Sequence, residues 1–153
     1  MIIIGYQGIG KSTLAGKHNI IDLESSNFWY NSRRPQNWYA YYANIAIHLS
    51  EQGYIVCISS HKEVREYLKN FYFDHSYCVF PSARLKDLWI KKLEDRFLKT
   101  GLQKDYKAWQ NAELMYVKNI EDLQNSGLQH FTITDMNYCL LDIIGKLLDS
   151  DKH

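Results

Sequence analysis

The chain has 153 residues, 46% of them apolar, enough for one hydrophobic core of ordinary domain size. With 18 basic residues against 17 acidic ones, the net charge of +1 excludes a global field of the kind that holds a long nucleic-acid track or an anionic membrane. Cys57, Cys78 and Cys139 stand far apart with no C-x-x-C pair, which argues against a disulfide framework or a zinc site, and no stretch approaches the ~20 apolar residues of a membrane span. These features predict a single domain over residues 1–153, soluble and cytoplasmic.

The first predicted element is a strand, Met1 to Gly5, followed at once by Gly5-Tyr6-Gln7-Gly8-Ile9-Gly10-Lys11-Ser12. This segment fits the phosphate-loop pattern G-x-x-x-x-G-K-[ST] at every required position. The pattern needs backbone N–H groups that point at a polyphosphate without Cβ interference, and Gly8 and Gly10 supply that freedom. Lys11 is a flexible point charge able to reach β and γ phosphates, and the Ser12 hydroxyl is a ligand for the Mg²⁺ that travels with them. Gly5, Gln7, Gly8, Ile9, Gly10, Lys11, Ser12 and Thr13 are therefore the residues expected to bind the polyphosphate, with Mg²⁺ as the expected accompanying ion. A helix from Lys11 to about Gly16 is predicted to add its N-terminal dipole to the anion site.

Further along, Asn19 to Leu23 reads as a second strand whose exit carries Asp22 and Glu24. Ser25 to Asn37 is polar, aromatic and broken by Pro35, so it reads as an irregular excursion; Trp38 to Gln52 has helical spacing and is ended by Gly53. Tyr54 to Ser59 is the clearest interior strand, β-branched and continuous, and a helix from Lys62 to Asn70 follows. Ser76 to Phe80 is a fourth strand stopped by Pro81, with Ser82 as N-cap for a helix from Arg84 to Lys99 closed by Gly101. A helix from Asp105 to Gln124, a last strand from Gln129 to Ile133 and a terminal helix from Tyr138 to Leu148 complete the order. Short buried strands alternating with helices imply βαβ units and a parallel sheet, hence an α/β fold of three αβα layers with about five strands. In such a sheet ligands bind beyond the carboxyl ends of the strands. The glycine loop, Asp22 with Glu24, Ser59-Ser60-His61 and Thr134-Asp135 all fall there.

These residues resemble the phosphate-loop kinases of the nucleoside monophosphate kinase group, including the small shikimate-kinase and gluconate-kinase-like members. The resemblance is carried by Gly5 to Ser12, by the acidic pair on the second strand and by a basic helical region late in the chain; only the loop is highly specific. It implies the P-loop NTPase fold, ATP·Mg²⁺ as donor and a small acceptor phosphorylated in a closed cleft. It gives Lys11 the phosphate role, Ser12 and Asp22 the metal, and Asp22 with Glu24 the acceptor. It also makes Arg96, with Arg84 behind it, the lid arginine that steadies transition-state charge, so that Lys11, Asp22 and Arg96 form the catalytic set. Asp135-Met136-Asn137 lie where such kinases brace the adenine.

Two departures from the family stand out. The third strand ends in Ser59-Ser60-His61, where many NTPases place a Mg²⁺-holding Asp, and the dozen residues after the second strand cannot house a large acceptor subdomain. That short segment instead offers Phe28, Trp29, Tyr30, Trp38 and Tyr39 as stacking faces and Arg33 with Arg34 as planar forks for an acceptor phosphate. The expected activity is ATP- and Mg-dependent phosphoryl transfer to a small acceptor: a nucleoside, a nucleotide or a similar phosphorylated metabolite. Two alternatives remain open: a polynucleotide-end or sugar kinase of the same fold, and a nucleotide-binding regulatory module without significant turnover. No N-K-x-D element supports GTP signalling.

Overall fold

The computed structural model describes residues 1–28 and 33–151, the side chain of Asn27 aside. Trp29 and Tyr30 of the aromatic segment, with Asn31 and Ser32, lie outside the described residues. Within them five strands alternate with six α-helices: β1 (Ile2–Gly5), α1 (Lys11–Leu14), β2 (Ile20–Asp22), α2 (Trp38–Glu51), β3 (Ile55–Ser59), α3 (Lys62–Phe71), β4 (Ser76–Pro81), α4 (Lys86–Thr100), α5 (Gln103–Gln124), β5 (Gln129–Ile133) and α6 (Leu140–Asp151). Short 3₁₀ turns at Ser25–Phe28, Phe73–His75 and Ala83–Leu85 fill the longer connections.

The sheet is all parallel, in the order β2-β3-β1-β4-β5. β1 is central, so both of its faces must be apolar, and Ile2, Ile3 and Ile4 are fully buried. Val56, Cys57 and Ile58 on one neighbour and Cys78, Val79 and Phe80 on the other are equally buried. With the right-handed crossovers that are the rule for parallel strands, this order places α2, α3 and α5 on one face and α1 on the other, giving three layers. Direct contacts agree: α2 packs on α3, and Arg65 of α3 donates to the Asp122 carbonyl of α5 at 3.1 Å. Leu140 of α6 approaches Gly10 at the mouth of α1. α4 and α5 form an antiparallel hairpin through Gly101, which takes the left-handed conformation at φ +66°.

Register sets the site. Gly5 of β1 stands level with Ser59 of β3 and Val79 of β4, while Asp22 pairs with Cys57 two residues short of that edge. The carboxyl ends of β1, β2 and β3 therefore open into one space.

Three local expectations need correction. The first helix is a single turn, Lys11–Leu14, because Ala15 leaves the helical region and Gly16, His18 and Asn19 take positive φ to return the chain to β2. A dipole of one turn adds little to an anion site; any support there comes from the loop's own N–H groups. β4 runs through Pro81, which occupies its last position opposite Ile133, where a missing N–H costs least. Ser82 precedes a 3₁₀ turn and makes no side-chain cap; its carbonyl instead accepts a 2.8 Å bond from the Tyr116 hydroxyl.

Candidate functional site

The turn from Tyr6 to Gly10 is shaped by its glycines and held from outside. Gly8 and Gly10 adopt φ +88° and +108°, which side-chain-bearing residues avoid. Gly5 has to lack a Cβ because Ile9 folds back over it; an added methyl would sit 2.5 Å from Ile9 Cδ1. Ile9 is thereby buried and anchors the turn to the core.

The carbonyls of the turn point outward into donors from other elements. Trp89 Nε1 of α4 donates to the Gln7 carbonyl at 2.9 Å. The Tyr138 hydroxyl donates to Ile9 O at 2.8 Å and lies 3.4 Å from Gly8 O. The Trp89 and Tyr138 rings stack at 5.9 Å, and the Lys92 ammonium sits 4.3 and 4.9 Å from their centroids while donating to the Tyr138 hydroxyl at 2.9 Å. Burial lowers the pKa of Lys92 to about 8, with Arg96 adding to the effect. The N–H groups of Tyr6 and Ile9 are also taken within the protein, by the Val79 carbonyl at 2.9 Å and the Tyr6 carbonyl at 3.4 Å.

That cleft has a volume of about 700 Å³ and brings together most of the residues singled out from sequence. Gly8, Gly10, Lys11 and Ser12 form one wall, Asp22 and Glu24 a second, Arg34 a third and Arg96 a fourth. Gln7 lines it too, with its amide nitrogen donating to Ala108 O at 3.0 Å and to Asn111 Oδ1 at 3.1 Å. Gly5 faces a smaller adjoining compartment instead. Thr13 and Arg33 are exposed and lie outside the lining, as do Arg84 and Asp135; the Asp135 carboxylate accepts a 2.8 Å bond from the Asn137 amide.

Lys11 is turned inward, donating to the carbonyls of Gly5 at 3.0 Å and Ile58 at 3.4 Å. Burial lowers its pKa, and the negative field of Asp22 opposes that shift. Asp22 is the mirror case: burial raises its pKa, Lys11 pulls it down and Glu24 pushes it further up. The two groups act on each other across the cleft, each opposing the effect of burial on the other.

Arg34 lies over the Trp38 ring at 4.0 Å, with Nη2 3.4 Å from Ser25 Oγ. The same Ser25 hydroxyl meets His61 Nε2 at 3.1 Å, and the His61 ring stands edge-on to Trp38 at 5.0 Å. Burial, reinforced by Arg34, drops the His61 pKa to about 4, so the imidazole is neutral near pH 7 and serves as an ordinary hydrogen-bonding group. Tyr42 closes this corner, donating to the Leu23 carbonyl and touching Ser59.

Arg96 forms an ion pair with Asp105, Nε to Oδ1 2.9 Å, and Asp105 also accepts from the Thr100 hydroxyl. The pair clips the two arms of the α4–α5 hairpin together beside the cleft. That hairpin contributes Gln103, Lys104, Lys107 and Asn111 to the lining, residues for which sequence reasoning had no signal beyond helical spacing. The cleft walls thus carry Lys11, Arg34, Arg96, Lys104 and Lys107 against Asp22, Glu24 and Asp105, a balance that favours a polyanion.

No protein-family model matches the chain and no curated protein sequence is significantly similar to it. The functional reading therefore rests on the geometry of this cleft.

Proposed function

We propose that the protein is a small P-loop kinase of the cytoplasm, moving the γ-phosphoryl group of ATP, with Mg²⁺, to a nucleoside, nucleotide or similar phosphorylated metabolite. The observation that carries the reading is the meeting of Lys11 and Ser12, Asp22 and Glu24, Arg34 and Arg96 on one cleft at the carboxyl edge of a parallel sheet. Those groups come from four separate parts of the chain, and phosphoryl transfer calls for this combination of positioning and charge neutralisation.

In this reading the N–H face of the Gly5–Ser12 turn receives the β and γ phosphates, and Lys11 follows the charge as it moves to the bridging oxygen. Asp22 and Glu24 orient the acceptor, whose oxygen forms the new bond to Pγ as the bond from Pγ to the β–γ bridging oxygen breaks. Arg96 and Arg34 neutralise the equatorial oxygens. The Ser12 hydroxyl and Asp22 carboxylate line the same cleft, and this pair of hard oxygens fits Mg²⁺ and would hold it. When bound, the ion supplies charge neutralisation on the phosphates.

The end of β3 favours a second reading. Ser59-Ser60-His61 offers no carboxylate there, and a nucleotide-binding regulatory module without turnover needs none. The readings part in one assay: labelled ATP, Mg²⁺ and a panel of acceptors, with wild type beside Lys11→Ala and Asp22→Asn. Transfer in wild type that falls by roughly 100-fold or more in Lys11→Ala supports the kinase, since one lost phosphate contact in the transition state is worth about 3 kcal/mol. Transfer that survives Lys11→Ala unchanged refutes the mechanism, and nucleotide binding without transfer to any acceptor selects the regulatory module.

A further inference from the structure

Behind Lys11 the cleft continues into a compartment of about 340 Å³ between α3 and α5, which shares Gln7, Lys11, Ser59 and Asn111 with the larger space. Its remaining polar wall is Ser60, His61, Arg65, Asn119 and Asp122.

Arg65 is the group that needs explaining. It is only 9% exposed, yet it takes part in none of the ion pairs among the described residues. Among the described residues its guanidinium makes one hydrogen bond, from Nη1 to the Asp122 carbonyl, and Nε is buried with no partner. The Asp122 carboxylate, the only one in this wall, is half exposed and turned to Lys118 at 3.8 Å. A guanidinium carries five donors and a permanent charge, and burying one without pairing it to an acid costs several kcal/mol unless something else supplies the charge.

The other wall groups are suited to hold what supplies it. Asn111 Oδ1 accepts from both Gln7 and Asn119, which locks the amides into one row along the compartment. Lys11 adds a second cation at the shared boundary.

We propose that this compartment is a subsite for an anionic group, a phosphate or a carboxylate, received by the Arg65 guanidinium. Under the phosphoryl-transfer reading, on which this assignment of the occupant rests, the acceptor is an acid bearing its own phosphate or carboxylate, seated with that group toward Arg65 and adjacent to Lys11. Arg33 and Arg34, the pair that sequence spacing offered for the role, are then supporting charges at most.

The test is an NMR titration of the full chain, following the arginine Nε–H resonances, with that of Arg65 assigned from an Arg65→Lys variant. Inorganic phosphate and sodium acetate are added separately at constant ionic strength, and ATP·Mg²⁺ binding is measured in parallel by calorimetry. The expected result is a saturable shift of the Arg65 Nε–H with one of the anions. A larger response to phosphate identifies a phosphorylated acceptor and a larger response to acetate a carboxylate one. Affinity for that anion, read in both proteins from the side-chain amide of Asn119 in the same wall, should fall by at least about tenfold in Arg65→Lys, which keeps charge but loses the fork, while ATP·Mg²⁺ affinity stays within about twofold. No shift with either anion overturns the subsite. So does an equal loss of anion and ATP affinity in Arg65→Lys, because the residue would then act through the loop or the fold. If wild type fails to bind ATP·Mg²⁺ but Arg65 still responds to an anion, the kinase reading falls and the anion site stands.

Discussion

Gly8 gives the sharpest quantitative test of how the glycine turn is built. At φ +88° an alanine would pay about 1–2 kcal/mol for its backbone conformation alone. Its new methyl would also lie 2.9 Å from Leu93 Cδ2 and 3.1 Å from Trp89 Nε1, two side chains that are fully buried and, in the case of Trp89, tethered to the Gln7 carbonyl. Neither can swing away, so relief requires α4 to shift, at a further cost of about 1–3 kcal/mol. The sum is roughly 2–5 kcal/mol, or on the order of 10 °C in melting temperature for a chain of this size. Gly16→Ala is the matched control: φ is +79° and no heavy atom lies within 4 Å of the added methyl, so only the conformational cost applies and the loss should be roughly 3–5 °C. Thermal unfolding of the two variants followed by circular dichroism separates the contributions. Melting of Gly8→Ala within about 2 °C of Gly16→Ala would refute the claim that α4 buttresses the turn.

Three further outcomes follow from the site. Asp105→Ala removes the nearly buried partner of Arg96 and Thr100 and should cost about 1–3 kcal/mol in urea denaturation; a loss under about 0.5 kcal/mol would show that the hairpin is not clipped there. His61, with its folded pKa depressed to about 4 from an ordinary 6.5, is held neutral by the fold, so protonation favours the unfolded chain. Stability should fall as pH drops from about 6.5 to about 4, and His61→Gln should flatten that part of the profile; identical slopes in the two proteins would contradict the assignment. Tyr138→Phe deletes the donor to the Ile9 carbonyl and the acceptor for Lys92, and hydrogen exchange of the Gly8–Lys11 amides should quicken by at least about tenfold; unchanged protection would mean that the turn holds its shape unaided.

What was legible in the sequence was local. The strands are short runs set between glycine and polar breaks, β-branched in β1 and β3, and a central parallel strand has no choice but to be apolar on both faces, as Ile2 to Ile4 are. The glycine turn, Lys11 and Ser12 could be read because their spacing alone specifies the backbone. Asp22 and Glu24 could be placed because strand ends in such sheets share an edge. Where the reading stopped, a second element was needed. Choosing Arg34 over Arg33 depends on which side chain meets Trp38, and adjacent residues in an irregular segment carry no period that decides it. Lys104, Lys107 and Asn111 lie along α5 at helical spacing and read as a solvated face until the hairpin folds over the turn. Arg65 sits on a helix of ordinary amphipathic pattern, and only its burial without an acid partner distinguishes it. The prediction of α1 ran on to Gly16 because Ala15 is a strong helix former by propensity, whereas the short return to β2 takes Ala15 out of the helical region and Gly16 to positive φ.

The inward posture of Lys11 has a consequence for recognition. Its ammonium already holds the carbonyls of Gly5 and Ile58, so a polyphosphate that reaches the turn must take the lysine from them. Capture is then an exchange of partners, and the affinity measures how far phosphate oxygens exceed two peptide carbonyls as ligands for the same cation. Such exchange disfavours weakly charged visitors, for which leaving the carbonyls brings no gain. Under the proposed phosphoryl-transfer function, selectivity for highly charged ligands would thus be set by what the lysine already holds.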